Sequence, residues 1–176
     1  MMYILSLNPC TDKTLSLPKM DLDNPNRVML ERTDVGGKGV NVARVVRALG
    51  GDGLLMGFDY AGSPVETAME KEQVPCRLLP VAGDMRVNLK IRETDRGRTV
   101  EINEKGVFHD ETLLRQMENT LVDTCREGDY AALCGSLPNG APKNFYARLV
   151  EKLKAKGCFV AVDCDGEALE HALQAG

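Results

Sequence analysis

The stretch Val35–Gly51, VGGKGVNVARVVRALGG, sets three glycines ahead of an amphipathic run and closes it with two more. Glycine reaches φ > 0 without strain and, lacking a Cβ, lets the backbone approach a ligand closely. A helix starting there presents free N–H groups to whatever occupies the space before it. Lys38 and Asn41 fall in its first turn, and Gly50–Gly51 supply its stop. Spacing excludes two phosphate loops. A Walker loop has four residues between its glycines and Ser or Thr after the lysine, whereas Lys38 is followed by Gly39. A dinucleotide turn read from Gly37 would have glycine where Val42 stands, and no buried strand leads straight into it. Three glycines alone fit a flexible loop as well as a binding turn. Lys38 and Asn41 together favour binding.

On either side, short apolar runs alternate with helical patterns, the arrangement of an α/β fold with a mostly parallel sheet. Tyr3–Leu7 and Gly53–Phe58 read as buried strands, the first closed by the turn signal Asn8–Pro9. A helix is expected from Ser63–Pro64, with proline at its first position. From Asp110, Leu113, Leu114, Met117, Leu121, Val122 and Cys125 keep helical spacing up to Gly128. Tyr130–Cys134 follows as a strand, then a helix from Pro142 with Phe145, Leu149, Val150 and Leu153 on one face. Cys158–Cys164 is a further strand, and a last helix runs from about Gly166 to Ala175. About five core strands result, with an edge on which a further βα unit could dock. The chain therefore reads either as a complete compact protein or as a truncated fold.

Four strand-like stretches break this alternation. Thr14–Met20 and Arg27–Val35 are separated by a Pro/Asn/Asp turn, and Arg86–Asn103 reads as a hairpin around Asp95–Gly97. They are expected to form a separate small sheet. In the hairpin's first arm Val87, Leu89 and Ile91 face one way while Arg86, Asn88, Lys90 and Arg92 face the other. Stacked donors on one strand repel each other without an anion, which suggests a phosphate or carboxylate there; a solvated face is the alternative. Ligands of open α/β sheets bind at the carboxyl ends of strands. Ser136, in CGSLPNG (Cys134–Gly140), stands at such an end, as do Asp12 after the first strand and Asp163 after a later one. A lone Asp at a strand end also serves as a helix cap, but three polar ends beside a glycine-rich helix start favour a site.

Composition narrows the rest. In 176 residues there are 22 Lys plus Arg against 26 Asp plus Glu, so the net charge of -4 has the wrong sign for a nucleic-acid surface. No apolar run approaches the roughly 18 residues of a membrane span. The N-terminus lacks the basic region of a signal peptide. Six scattered cysteines without a C-x-x-C pair, and only two histidines, argue against zinc and fit reduced thiols in a cytoplasmic protein.

The segments Asn8–Leu15, Gly36–Gly50, Met85–Glu93, Cys134–Gly157 and Val162–Leu169 together resemble the phosphofructokinase-B branch of the ribokinase-like sugar kinases, in particular the 1-phosphofructokinase and tagatose-6-phosphate kinase group. The resemblance implies a ribokinase-like α/β core with a small β-sheet lid, at about 13–35 and 84–104, that often pairs with the lid of a second subunit as a homodimer. By position, Asp12 would bind sugar hydroxyls, with Gly36, Gly37 and Asn41 lining the same pocket. Lys38, Arg86, Asn88, Lys90 and Ser136 would surround the phosphate of a phosphorylated ketohexose. Arg27 would reach the partner subunit's site. ATP and Mg²⁺ are implied as co-substrate and metal. The family's Gly-Ala-Gly-Asp motif, whose Asp is the general base, does not occur in these 176 residues. The resemblance thus implies the N-terminal part of a kinase for fructose 1-phosphate, with the C-terminal portion absent and turnover lost. Tagatose 6-phosphate as substrate, or an inactive short form that binds a sugar phosphate or dimerises, are the alternatives.

Overall fold

The computed structural model describes residues 1–176. In chain order the elements are β1 (Met2–Ser6), β2 (Cys10–Leu17), β3 (Leu30–Gly36), α1 (Lys38–Ala48), β4 (Gly53–Asp59), α2 (Pro64–Lys71) and β5 (Cys76–Pro80). There follow β6 (Val87–Glu93), β7 (Arg98–Asn103), α3 (Glu111–Thr124), β8 (Tyr130–Cys134), α4 (Phe145–Ala155), β9 (Phe159–Asp163) and α5 (Gly166–Gln174).

Five strands pair wholly in parallel in the order β5-β4-β1-β8-β9. β1 lies at the centre, and Ile4, Leu5 and Leu7 around it are fully buried. This is why the central strands read as unbroken apolar runs: a parallel sheet covered by helices has no wet face. β5 escaped the sequence reading because it is an edge strand, only partly buried, that ends on Pro80. The other four strands make a second sheet in the order β3-β2-β6-β7. It is mixed, with β2 antiparallel to β3 but parallel to β6.

α2 starts at Pro64 as the sequence reading expects, while α4 starts later than expected. Asp110 caps α3, accepting from the Leu113 amide at 2.8 Å. Ser63 does not cap α2; its φ is 49° and its side chain makes no capping bond. The carboxylate of Asp59, at the end of β4, accepts instead from the amides of Val65 (3.1 Å) and Glu66 (2.9 Å). Strand and helix are thereby tied by one buried side chain. α4 begins at Phe145 rather than Pro142, because the Phe145 amide first closes a tight turn onto the Pro142 carbonyl at 2.9 Å. Between α3 and α4 the buried Glu118 pairs with Arg148 at 2.9 Å and stands 3.0 Å from Lys152 without an aligned hydrogen bond.

One buried side chain links this layer to the sheet's carboxyl end. Tyr146 of α4 is fully enclosed, and its hydroxyl donates to the carbonyls of Cys134 (3.3 Å) and Gly135 (3.1 Å). A net hydrogen bond of this kind contributes about 1 kcal/mol. Tyr146→Phe is expected to lower unfolding free energy by about that amount, read as a lower denaturant midpoint with an unchanged m-value; an unchanged midpoint would refute the linkage.

Candidate functional site

The chain leaves the centre of the parallel sheet at Ser6 and enters the second sheet at Cys10, so the two sheets meet across Leu7, Asn8 and Pro9. At this junction a cleft of about 720 Å³ is walled by the ends of β1 and β8, the start of α1, the β2–β6–β7 face and the loop Leu137–Ala141. That volume lies within the roughly 300–1,000 Å³ typical of small-molecule sites. Of the residues the sequence singled out, Asp12, Gly37, Lys38, Asn41, Arg86, Asn88, Lys90 and Ser136 all line it.

Asp12 lies elsewhere than expected. It is the third residue of β2, not the loop after β1, because the chain resumes pairing directly after Pro9. Register sets Asp12 beside Asn88, on the same face as Lys90. Its Oδ1 accepts from Asn88 Nδ2 at 3.3 Å and stands 3.4 Å from Lys90 Nζ. The anion that the stacked donors call for is thus supplied within the protein. Gly36 is not a wall of the cleft. A Cβ there would come within 2.2 Å of Asp12 Oδ2, so the glycine provides room for the carboxylate. Gly39 likewise gives α1 its close approach, since a Cβ would meet Ser6 Cβ at 2.6 Å. Among these three glycines only Gly37, the N-cap of α1 with φ 115°, uses the left-handed region.

Lys38 and Arg86 are both engaged within the protein. Lys38 Nζ bonds Asp163 at 2.8 Å, bridging α1 to the end of β9; that bond holds its ammonium above the usual lysine range. Arg86 donates through Nε and Nη2 to the Asn8 carbonyl (3.2 and 3.1 Å) and through Nη1 to Asn88 Oδ1 at 2.7 Å. Arg27 lies outside the cleft, in the exposed connection between β2 and β3.

Four contributors were missed by sequence reasoning. Asn8, read only as a turn residue, is buried and donates to Ser136 Oγ at 3.1 Å, joining the ends of β1 and β8. Cys10 lines the cleft against Asp12 and Asn88, and burial pushes its thiol up to about 11, so it stays a neutral thiol. Lys105 and Glu104 reach the cleft from the segment after β7, which carries no motif. That segment is anchored by an isolated bridge between Phe108 and Asn139 and by the buried His109, whose ring lies 3.3 Å from the Tyr60 hydroxyl. No group of three or more His, Cys, Asp or Glu side chains converges as a metal ligand set.

An α/β sheet with a polar cleft at its carboxyl ends, roofed by a second sheet, is where small molecules bind in such folds, but the fold alone does not define the chemistry. The family model described as "pfkB family carbohydrate kinase" matches residues 5–175, and the chain belongs to that family. It is 35% identical over 176 residues to the 1-phosphofructokinase of Rhodobacter capsulatus, covering 97% of this chain and 55% of the relative. It is 31% identical over 175 residues to a tagatose-6-phosphate kinase of Staphylococcus epidermidis, covering 98% of this chain and 56% of the relative. Phosphofructokinase-2 from Escherichia coli, solved in complex with substrates and products, superposes with a TM-score of 0.92 at 26% identity, over 99% of this chain and 57% of that one. The chain therefore spans a little over half the length of these relatives.

Burial holds the His109 imidazole below its ordinary value of 6.5. A histidine whose folded pKa is lowered stabilises the fold fully above its unfolded pKa and progressively less as pH falls towards the folded one. Stability is expected to decline below pH 6.5, and the advantage of the wild type over His109→Gln is expected to shrink between about pH 7.5 and about 5.5, roughly one unit either side of the unfolded pKa. Parallel pH curves for the two proteins would contradict this.

Proposed function

We propose that this chain is the acceptor-binding part of an ATP-dependent sugar-phosphate kinase and that its cleft takes fructose 1-phosphate. The observation that carries the reading is Asp12 held among donors at the mouth of a family-typical cleft: Asn88, Lys90, Arg86 and Ser136 face one small volume. Asp12 accepts from sugar hydroxyls, the one strong acceptor role such a ligand needs. Lys90, Arg86 and Lys38 neutralise the phosphate that the ketohexose already carries, and Asn88, Asn41 and Ser136 donate to its oxygens. Gly37 and the first turn of α1 add backbone N–H groups from a helix N-terminus. In the complete reaction the free primary hydroxyl of fructose 1-phosphate attacks the γ-phosphorus of ATP, giving fructose 1,6-bisphosphate and ADP. Mg²⁺ supplies charge neutralisation to the nucleotide in such transfers; no three His, Cys, Asp or Glu side chains of this chain converge to hold it. The 1-phosphofructokinase relative favours fructose 1-phosphate, and the tagatose-6-phosphate kinase relative favours tagatose 6-phosphate as the second substrate reading.

Calorimetric titration separates phosphate recognition from hydroxyl recognition. Lys90→Ala is expected to weaken fructose 1-phosphate by about 1.5–3 kcal/mol, the magnitude of a charge-assisted hydrogen bond, while fructose loses far less. Equal loss for both sugars would remove Lys90 from the phosphate site. Because Gly-Ala-Gly-Asp is missing from the 176 residues, a coupled assay with ATP and fructose 1-phosphate is expected to show binding without turnover. Turnover abolished by Asp163→Ala would relocate the general base.

The second sheet also serves, in this reading, as a lid that pairs with the lid of a second copy. Support comes from apolar side chains left bare on it: Met29 and Leu30 at its β3 edge, and Ile102 on the opposite edge and face, are each more than half exposed. Arg27 lies two residues before Met29 in the exposed connection between β2 and β3, which is how it would reach a partner's site. Light scattering is expected to give a dimeric mass for the wild type and a monomeric mass for the Leu30→Asp, Ile102→Asp variant. A wild-type mass of one chain would exclude the pairing.

A further inference from the structure

One guanidinium outside the cleft controls two groups at its wall. Arg44, in the second turn of α1, uses its donors in three directions. Nε and Nη2 form a two-point pair with Glu72, just past the end of α2, at 2.6 and 2.8 Å. Nη1 donates to the Val35 carbonyl at 2.7 Å and to Asn41 Oδ1 at 3.1 Å. Guanidinium has only donors, so the Asn41 atom facing it must be the carboxamide oxygen. With that oxygen held, the polar group Asn41 keeps for the cleft is its amino group. The Val35 carbonyl stands immediately before Gly36 and Gly37, where β3 turns into α1. A glycine pair leaves that turn little stiffness of its own, so an external bond to the preceding carbonyl fixes its direction.

We propose that Arg44 is a positioning residue for the cleft, held by Glu72, that makes Asn41 a fixed donor and sets the turn carrying Gly36 and Gly37. The proposal rests on the acceptor-site reading of Asn41 above. Asn41 is the group that touches ligand, and Arg44 acts through it. The pair with Glu72 keeps the fork oriented, because a planar two-point contact fixes the guanidinium plane and with it the directions of both Nη1 hydrogens. Lysine cannot replace it: one ammonium cannot span the Glu72 carboxylate, the Val35 carbonyl and the Asn41 oxygen together. Glu72 is absent from the cleft lining, so any effect of its loss on the cleft passes through Arg44.

The test compares the full chain as wild type, Arg44→Lys, Glu72→Ala and the double variant by NMR and calorimetry. In ligand-free protein each single change is expected to speed amide exchange across Gly36–Asn41 about tenfold or more and to shift the Asn41 side-chain amide resonances. Amides of Ala131–Leu133 in β8 are expected to keep their protection, which a general loss of stability would not allow. The dissociation constant for fructose 1-phosphate is expected to rise about tenfold in each single variant, the equivalent of one hydrogen bond. Because both changes break one clamp, the double variant should lose no more than the worse single. Unchanged exchange and unchanged Asn41 resonances would overturn the proposal, as would losses that add in the double variant. If the wild type takes up no sugar phosphate while the exchange pattern appears, the acceptor-site reading fails and the positioning role stands. If binding is seen and the exchange pattern is not, the reverse holds.

Discussion

The backbone has three residues, Leu7, Asn8 and Pro9, in which to pass from the middle of a buried parallel sheet into a second sheet. Everything at the cleft depends on that short crossing. Leu7 stays in the core, fully buried. Pro9 cannot donate a backbone hydrogen bond, and Asn8 must satisfy its own carbonyl at the seam, which it does with two bonds from Arg86. The same side chain's amide then reaches Ser136 across the end of β8. Had the crossing been a long loop, none of these groups would have a fixed distance from another. As it is, the ends of β1 and β8 and the first residues of β6 are tied within a few bonds of one asparagine.

Polar groups around the cleft are arranged so that acceptors are largely spent on the protein itself. Asn88 gives its oxygen to Arg86, and Asn41 gives its oxygen to Arg44. Ser136 accepts from Asn8. The donors of Asn88 are spent too, on Cys10 Sγ and Asp12 Oδ1, and Glu101, Glu104 and Asp165 bring further acceptors to the cleft. Such a surface discriminates by the penalty of leaving buried polar groups unpaired, which is larger than the gain from any one contact.

Much of this was legible in the sequence, and the reasons differ by residue. Unbroken apolar runs announced β1, β4 and β8 because both faces of a parallel strand are dry. Alternation exposed the two faces of β6, and register then carried Asn88 and Lys90 together as a strand must. Asp12 was found but misplaced, since nothing local says that pairing resumes one residue after Pro9. Asn8, Asp59, Arg44 and Glu118 were not found as structural determinants. Each acts on a group distant in sequence, and a single polar letter carries no trace of its partner. Glu93 makes the same point: fully buried at the end of β6, it accepts from the Met20 amide and pairs with Arg98, which no motif foretells.

The ion pair between Lys38 and Asp163 has a thermodynamic consequence. Together with the contact of Lys90 to Asp12, it means that two of the cleft's cations are already paired with carboxylates. An anion binding at either lysine competes with that carboxylate, so its uptake there is an exchange of one partner for another. The free energy of binding is then a difference between two well-solvated charge pairings rather than the whole of one. Exchange of this kind weakens the hold of these two lysines on any passing anion.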